Sequence, residues 1–86
     1  MVSQVVTIAE PQGLHMRPAG IFARAMGEFS CTVEMIVDGK HLNAKSVMAL
    51  IAAALKEGAE VEIQCEGTDE EAALTRAVEL LSARQD

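Results

Sequence analysis

The run Gly13-Leu14-His15-Met16-Arg17-Pro18-Ala19 places an imidazole immediately before a helix that a proline can start. Proline has no N–H to lose in a first helical turn, and its fixed φ suits that position. The residue before a proline is pushed away from the α region, so the helix is expected to start near Arg17 or Pro18. His15 then lies beside several backbone N–H groups that no earlier turn satisfies. The partial positive charge of a helix start opposes a further positive charge on the ring and leaves its lone pair free. The same amides, with the guanidinium of Arg17 two residues on, suit a phosphate dianion. A nucleophilic ring above an anion site is what accepting and later releasing a phosphoryl group requires. The commoner use of a loop histidine is as a solvated polar residue. Arg17 read as a mere surface charge is poorly placed, because a helix start mildly disfavours a cation.

A second polar group stands before a helical pattern. Ser46 precedes Val47-Met48-Ala49-Leu50-Ile51-Ala52-Ala53-Ala54-Leu55 and is placed to cap that helix, a role worth about 0.5–2 kcal/mol. Gly58 is expected to stop it. The segment is apolar nearly all round. Leu50 and Leu55 suit a core, with Val47 or Ile51 shared, but Met48 and the alanines cannot all point inward from one helix on a sheet. An apolar patch beside a charged site marks a partner surface, although single exposed hydrophobes are ordinary.

These groups must be held by strands and helices whose patterns are legible. Val2 to Ile8 is β-rich and ends at the turn cluster Glu10-Pro11-Gln12-Gly13. The helix from about Pro18 to Gly27 carries Ile21, Phe22, Ala25, Met26 and Phe29 as its apolar stripe, with Arg17, Gly20, Arg24 and Gly27 on another face. Cys31, Val33, Met35 and Val37 alternate with Thr32 and Glu34 as a half-buried strand should, and Ile36 breaks that phase. Asp38-Gly39 predicts a type I′ hairpin into a short strand, Lys40 to Asn43. His41 on that strand is read as solvent-facing, without a role. Glu60 to Glu66 alternates strictly, with Val61, Ile63 and Cys65 inward. Thr68 and Glu71 form a capping box for a last helix with Leu74, Ala77, Val78 and Leu81 on its apolar face.

The order is βαββαβα, and alternating strands imply a sheet with one wet face and all three helices on the other. A right-handed crossover from the first strand to the second leaves a gap that the fourth can enter antiparallel to both. At 86 residues the chain is read as one domain, residues 1–86, with half its residues hydrophobic but only two aromatics, both Phe. Its core must be Val, Ile, Leu, Met and Ala. A net charge of −6 and missing aromatic platforms exclude general nucleic-acid binding. No secretory signal or membrane-length apolar run is present, which points to the cytoplasm. There Cys31 and Cys65 serve as small hydrophobes rather than a disulfide, and no metal-ligand spacing appears.

His15-Met16-Arg17-Pro18-Ala19 together with Asn43-Ala44-Lys45-Ser46-Val47-Met48 resembles the histidine-containing phosphocarrier proteins, HPr, of the bacterial phosphoenolpyruvate:sugar phosphotransferase system. Both motifs stand at the family's spacing, and the similarity covers essentially the whole chain. The resemblance implies an α+β open-faced two-layer sandwich with strand order 1-4-2-3. It implies a covalent carrier, with no cofactor, rather than a free-standing enzyme. His15 would take a phosphoryl on Nδ1 from phosphorylated enzyme I and pass it to an EIIA domain or protein, while Arg17 offsets its charge. Gly20, Arg24 and Gly27 with Val47, Met48 and Ile51 would form the shared partner surface. Arg17, Arg24 and Lys45 would steer it toward acidic partner faces, so that high salt slows transfer. In low-GC Gram-positive relatives the serine matching Ser46 is phosphorylated by an ATP-dependent HPr kinase/phosphorylase, and a transcriptional regulator can read that form. A phosphate is tolerated at a helix start, so the modification need not unfold anything. The chain departs from familiar members at Met16, where small or hydroxyl residues are common, at Gly20, where many carry Thr, and at Ala54, where glycine often closes the second helix. Alternatives are a nitrogen-branch paralogue with the same chemistry and a regulatory binding module that carries no phosphoryl. A monomer is expected, since a carrier presents one face to several partners in turn.

Overall fold

A computed structural model describes residues 1–83. Its elements are β1 (Val2–Thr7), α1 (Met16–Gly27), β2 (Thr32–Val37), β3 (Lys40–Asn43), α2 (Val47–Ala52), β4 (Glu60–Glu66) and α3 (Glu70–Ser82). The strands form one sheet in the order β1-β4-β2-β3, every neighbouring pair antiparallel. The central strand β4 pairs Val61 with Val6 on one side and Ile63 with Met35 on the other. Period-two alternation then sends Val6, Val33, Met35, Val61, Ile63 and Cys65 to one face. There they meet Phe22 and Met26 of α1, Leu50 of α2, and Ala73, Ala77 and Leu81 of α3. Truncating Phe22 to alanine at the centre of this layer would cost about 3–5 kcal/mol.

The β2–β3 hairpin is as its sequence predicts: Asp38 and Gly39 both have positive φ, 51° and 79°, which a type I′ turn requires. Ile36, the residue out of phase, faces the open side of the sheet, where it is half-buried opposite His41 and Glu62.

Four local expectations are corrected. α1 begins at Met16, with His15 as its N-cap in extended geometry (φ −85°, ψ −168°) and Pro18 as the third helical residue. Proline is tolerated there because first-turn amides have no helical acceptor in any case. The buried face of α1 is Pro18, Ala19, Phe22, Ala23 and Met26, whereas Ile21 is 38% exposed and Ala25 and Phe29 are only half-buried. Small alanines flanking Phe22 let the helix lie close to the sheet, and the larger Ile21 is left at the rim.

α2 is shorter than its apolar run. It closes at Ala52, and Ala54 follows in the left-handed region at φ 53°. The chain must turn there so that Leu55 can re-enter the core and its carbonyl can accept the N–H of Leu14 at 2.9 Å. Gly58 therefore stops no helix; its N–H donates to the Ile8 carbonyl and begins the approach to β4.

The expected pairing of Thr68 with Glu71 is absent. Glu70 instead reaches back one turn, its Oε1 accepting the Gly67 N–H at 3.0 Å. Asp69, the N-cap of α3, accepts the Ala73 N–H on its main-chain carbonyl, but its side chain makes no bond to its own helix. Its carboxylate accepts the N–H groups of Ser30 and Cys31 at 2.8 and 2.9 Å and the Ser30 hydroxyl at 3.2 Å. The tertiary partner outcompetes the local cap because one carboxylate satisfies two consecutive amides at the α1–β2 junction. Those amides hold Asp69 below the ordinary carboxylate range, the Ser30 N–H contributing most. Glu70 is lowered likewise, by the Gly67 N–H first and then by the chain's amino terminus, 3.2 Å from its Oε2.

Candidate functional site

The loop before α1 is built to lift one side chain out of the protein. Gly13 has φ +78°, and an added Cβ there would collide with the Leu55 carbonyl oxygen, so only glycine permits the approach. Its N–H donates to the Glu10 carbonyl at 2.9 Å, and Leu14 is buried and pinned to Leu55. With Leu14 anchored inward, extended geometry turns the next side chain outward. His15, Met16 and Arg17 are all exposed.

His15 occupies an N-cap position without doing a cap's work: its side chain makes no capping hydrogen bond. Its carbonyl accepts the Ala19 N–H at 2.9 Å, which closes the first turn. Pro18 has no N–H, so the amides left without a helical acceptor are those of His15, Met16 and Arg17. The several open donors expected there are thus three, the histidine's own and the two that follow it. Arg17 and Arg24 make no ion pair with a carboxylate among the described residues. Imidazole, three main-chain donors and an uncommitted guanidinium therefore lie together on an open surface, suited to holding a phosphoryl group briefly.

Ser46 caps α2 as expected, its Oγ accepting the Ala49 N–H at 3.2 Å. Clamps join α1 and α2 at opposite ends. Leu14 N–H binds the Leu55 carbonyl near His15, and the Lys45 ammonium binds the Phe29 carbonyl at 2.8 Å near Ser46. The two helices consequently run in opposite directions along their contact, and Ser46 lies at the end of α2 away from His15. The Lys45 ammonium is thus anchored on the carbonyl just past α1, a neutral acceptor that leaves its positive charge in place. The remaining candidates differ in exposure, with Val47 and Ile51 packed against the core. Met48 is 77% exposed, Met16 74%, and Val47 and Ile51 are half-buried. A Cβ added at Gly20 or Gly27 would meet nothing within 4 Å, so α1 is bare on either side of Arg24.

One positioning residue escaped the sequence reading. Asn43 ends β3 and accepts the Lys45 N–H on its Oδ1 at 2.9 Å, while its carbonyl accepts the Ser46 N–H at 3.0 Å. An asparagine two residues before a free amide is a turn signal, and Asn43-Ala44-Lys45 displays it. His41 carries no site; it is exposed, with Nδ1 3.1 Å from Glu34 Oε1.

The family profile described as "PTS HPr component phosphorylation site" matches residues 2–83. The chain belongs to the HPr family. As a member it is a phosphocarrier of the phosphotransferase system. It is 40% identical over 76 residues to the HPr-like protein Crh of Bacillus subtilis, covering 88% of this chain and 89% of Crh. It is 38% identical over 81 residues to the phosphocarrier protein HPr of Treponema pallidum, covering 94% and 91%. Among solved structures, HPr-C-His from Thermoanaerobacter tengcongensis superposes with a TM-score of 0.90 at 34% identity, over 94% of this chain and 91% of that one. The HPr dimer from the same organism gives 0.73 at 35% identity, over 93% and 92%. Open-faced architecture and strand order are those of the family. No helix among the described residues is long and apolar enough to cross a membrane.

Proposed function

We propose that His15 is the phosphoryl acceptor, taking the group from phosphorylated enzyme I and handing it to EIIA of sugar permeases. The observation that carries this reading is the exposed His15 ring at the start of α1, free of any capping bond, beside the amides of Met16 and Arg17. In the forward step the Nδ1 lone pair of His15 attacks phosphorus while the bond from phosphorus to the donor breaks. In the second step a histidine nitrogen of EIIA attacks, and the ring of His15 leaves. Arg17 offsets the added charge, and the open surface keeps phosphorus accessible from the side opposite the leaving nitrogen. Each partner supplies the rest of the transition-state environment.

The partner face comprises Gly20, Arg24 and Gly27 of α1 with Val47, Met48 and Ile51 of α2. Its support is the apolar exposure of Met48 and the bareness of both glycines, which lets another protein approach the α1 backbone. Ser46 is the regulatory position. A phosphate there meets the start of α2, and its charge disfavours an acidic partner without unfolding the cap. HPr kinase/phosphorylase would install it, and a transcriptional regulator would read it. The chain acts in the cytoplasm as a monomer, one face serving successive partners.

A second reading is favoured by the similarity to Crh, a relative described as a catabolite repression HPr: the chain acts as a regulator without carrying phosphoryl groups. The presence of His15 weighs against it, since such modules arise where that histidine is replaced.

The test is incubation with enzyme I and labelled phosphoenolpyruvate. Acid-labile label on the wild type and none on His15→Gln is the expected result. An unlabelled wild type with active enzyme I overturns the carrier reading and leaves the regulatory one. A panel of EIIA acceptors then separates the sugar branch from a nitrogen-branch paralogue, and sedimentation tests the monomer.

A further inference from the structure

Cys31 and Cys65 are the chain's two cysteines, and both are free and buried. The pairing of β2 with β4 sets Val33 directly opposite Cys65. Cys31, two residues before Val33, thus lies on the diagonal from Cys65, on the same inward side of the sheet. Cys31 is near enough to Cys65 to raise its thiol further, after burial itself. Backbones crowd together at this corner: a Cβ added to Gly67 would lie 2.7 Å from both Cα and Cβ of Cys31.

Cys31 is close to the surface although only 2% exposed. Ser30 and Thr32 on either side of it are exposed, and the segment is held down by the Asp69 carboxylate. Burial raises both thiols, Cys65 to about 11, and hydrogen bonding to Asp69 raises Cys31 further. The reactive thiolate is therefore scarce while the corner is closed. Reaction waits for the Ser30–Cys31 segment to swing off Asp69.

We propose that Cys31 and Cys65 are a reversible oxidation site, converted by peroxide into a disulfide within one chain. In the first step the Cys31 sulfur attacks one peroxide oxygen and the O–O bond breaks. The departing hydroxide takes the thiol proton as water, leaving a sulfenic acid. In the second step the Cys65 sulfur attacks that sulfur, the S–S bond forms and the S–O bond breaks. The hydroxyl leaves with the Cys65 proton as a second water. Two thiols lose two electrons in all, and one hydrogen peroxide is reduced to two waters. The spacing of a strand diagonal exceeds the usual Cα separation of a disulfide, so the bridge forms only as the backbone at Ser30–Cys31 moves, and it is strained and readily reduced. While present, it ties the α1–β2 junction to β4 and closes a loop that contains β2, β3, α2 and Ser46.

The experiment treats the full chain with hydrogen peroxide, then denatures it, alkylates it and measures its intact mass. The expected result is loss of two hydrogens, alkylatable thiols falling from two to none, and a proteolytic peptide joining residues 31 and 65. Reduced glutathione restores both thiols. Asp69→Asn, which loosens the hold on Cys31, speeds the loss severalfold. Cys31→Ser and Cys65→Ser each leave one thiol that gains oxygen or stays alkylatable and forms no internal bridge. The proposal is overturned if both wild-type thiols survive oxidant that modifies an exposed cysteine, if oxygens are gained with no bridge, or if bridging joins two chains only. Should a variant fail to fold, the wild-type mass and peptide map still decide.

Discussion

Ala54 sits at φ 53°, immediately after the last turn of α2, in a conformation where a Cβ crowds the following carbonyl. For an L-residue with a side chain that geometry costs about 1–2 kcal/mol. Glycine removes the cost but loses more conformational freedom on folding, an opposing contribution of about 0.4–1 kcal/mol. Ala54 is exposed and outside the helix, so neither a cavity nor helix propensity enters the balance. The net expectation for Ala54→Gly is stabilisation by about 0.5–1 kcal/mol. In a chain of this size each kcal/mol moves the thermal midpoint by about 4–8 °C, so a rise of about 2–8 °C follows. Thermal melts followed by far-UV circular dichroism, with urea titrations at constant m, measure both quantities. Ala54→Val should move the midpoint in the opposite direction, because β-branching aggravates the same clash. A midpoint that falls or stays put in Ala54→Gly, or one that rises in Ala54→Val, refutes the reasoning. The position matters for the site as well, since Leu55, the next residue, holds the loop that presents His15 through its carbonyl.

Three further outcomes are expected. Arg17→Ala should slow phosphoryl transfer strongly in a coupled enzyme I assay while changing stability by less than about 0.5 kcal/mol, because its side chain is exposed and free of ion pairs. Wild-type transfer rates in that variant remove Arg17 from the chemistry. Asp69 is lowered in the folded chain by the amides it accepts. Its stabilisation is therefore complete above the unfolded aspartate value and is lost as pH falls through the lower folded value. Urea midpoints measured across the acid range should fall less steeply for Asp69→Asn, and an unchanged acid limb contradicts the assignment. Ser46→Ala should cost about 0.5–2 kcal/mol through loss of the α2 cap, and equal urea midpoints for the two proteins would show the cap idle.

What was readable without coordinates followed from short-range rules. Strict alternation in Glu60–Glu66, positive-φ chemistry at Asp38-Gly39, and a hydroxyl ahead of Val47 each carry their own physics, and each appears where it was expected. Two of the misreadings share one cause: a distant partner outbid a local preference. The Asp69 side chain left its own helix for the amides of residues 30 and 31, and α2 gave up its last turn so that Leu55 could meet Leu14. Lys45 was legible as a charge, but its anchor was not, because the carbonyl that binds it is 16 residues away.

By itself, then, the order of residues determined the element pattern, the inward and outward phase of the strands, and the pairing of an imidazole with a guanidinium ahead of a proline. Those depend on spacings of one to four residues, over which backbone geometry is nearly independent of the rest of the molecule. Only the tertiary structure decided which amides beside His15 stay open, where Lys45 is anchored, where α2 ends, and that two cysteines 34 positions apart meet at one corner of the core. Such outcomes are settled by competition among long-range partners for a limited number of donors, acceptors and core positions, and that competition exists only once the chain has folded.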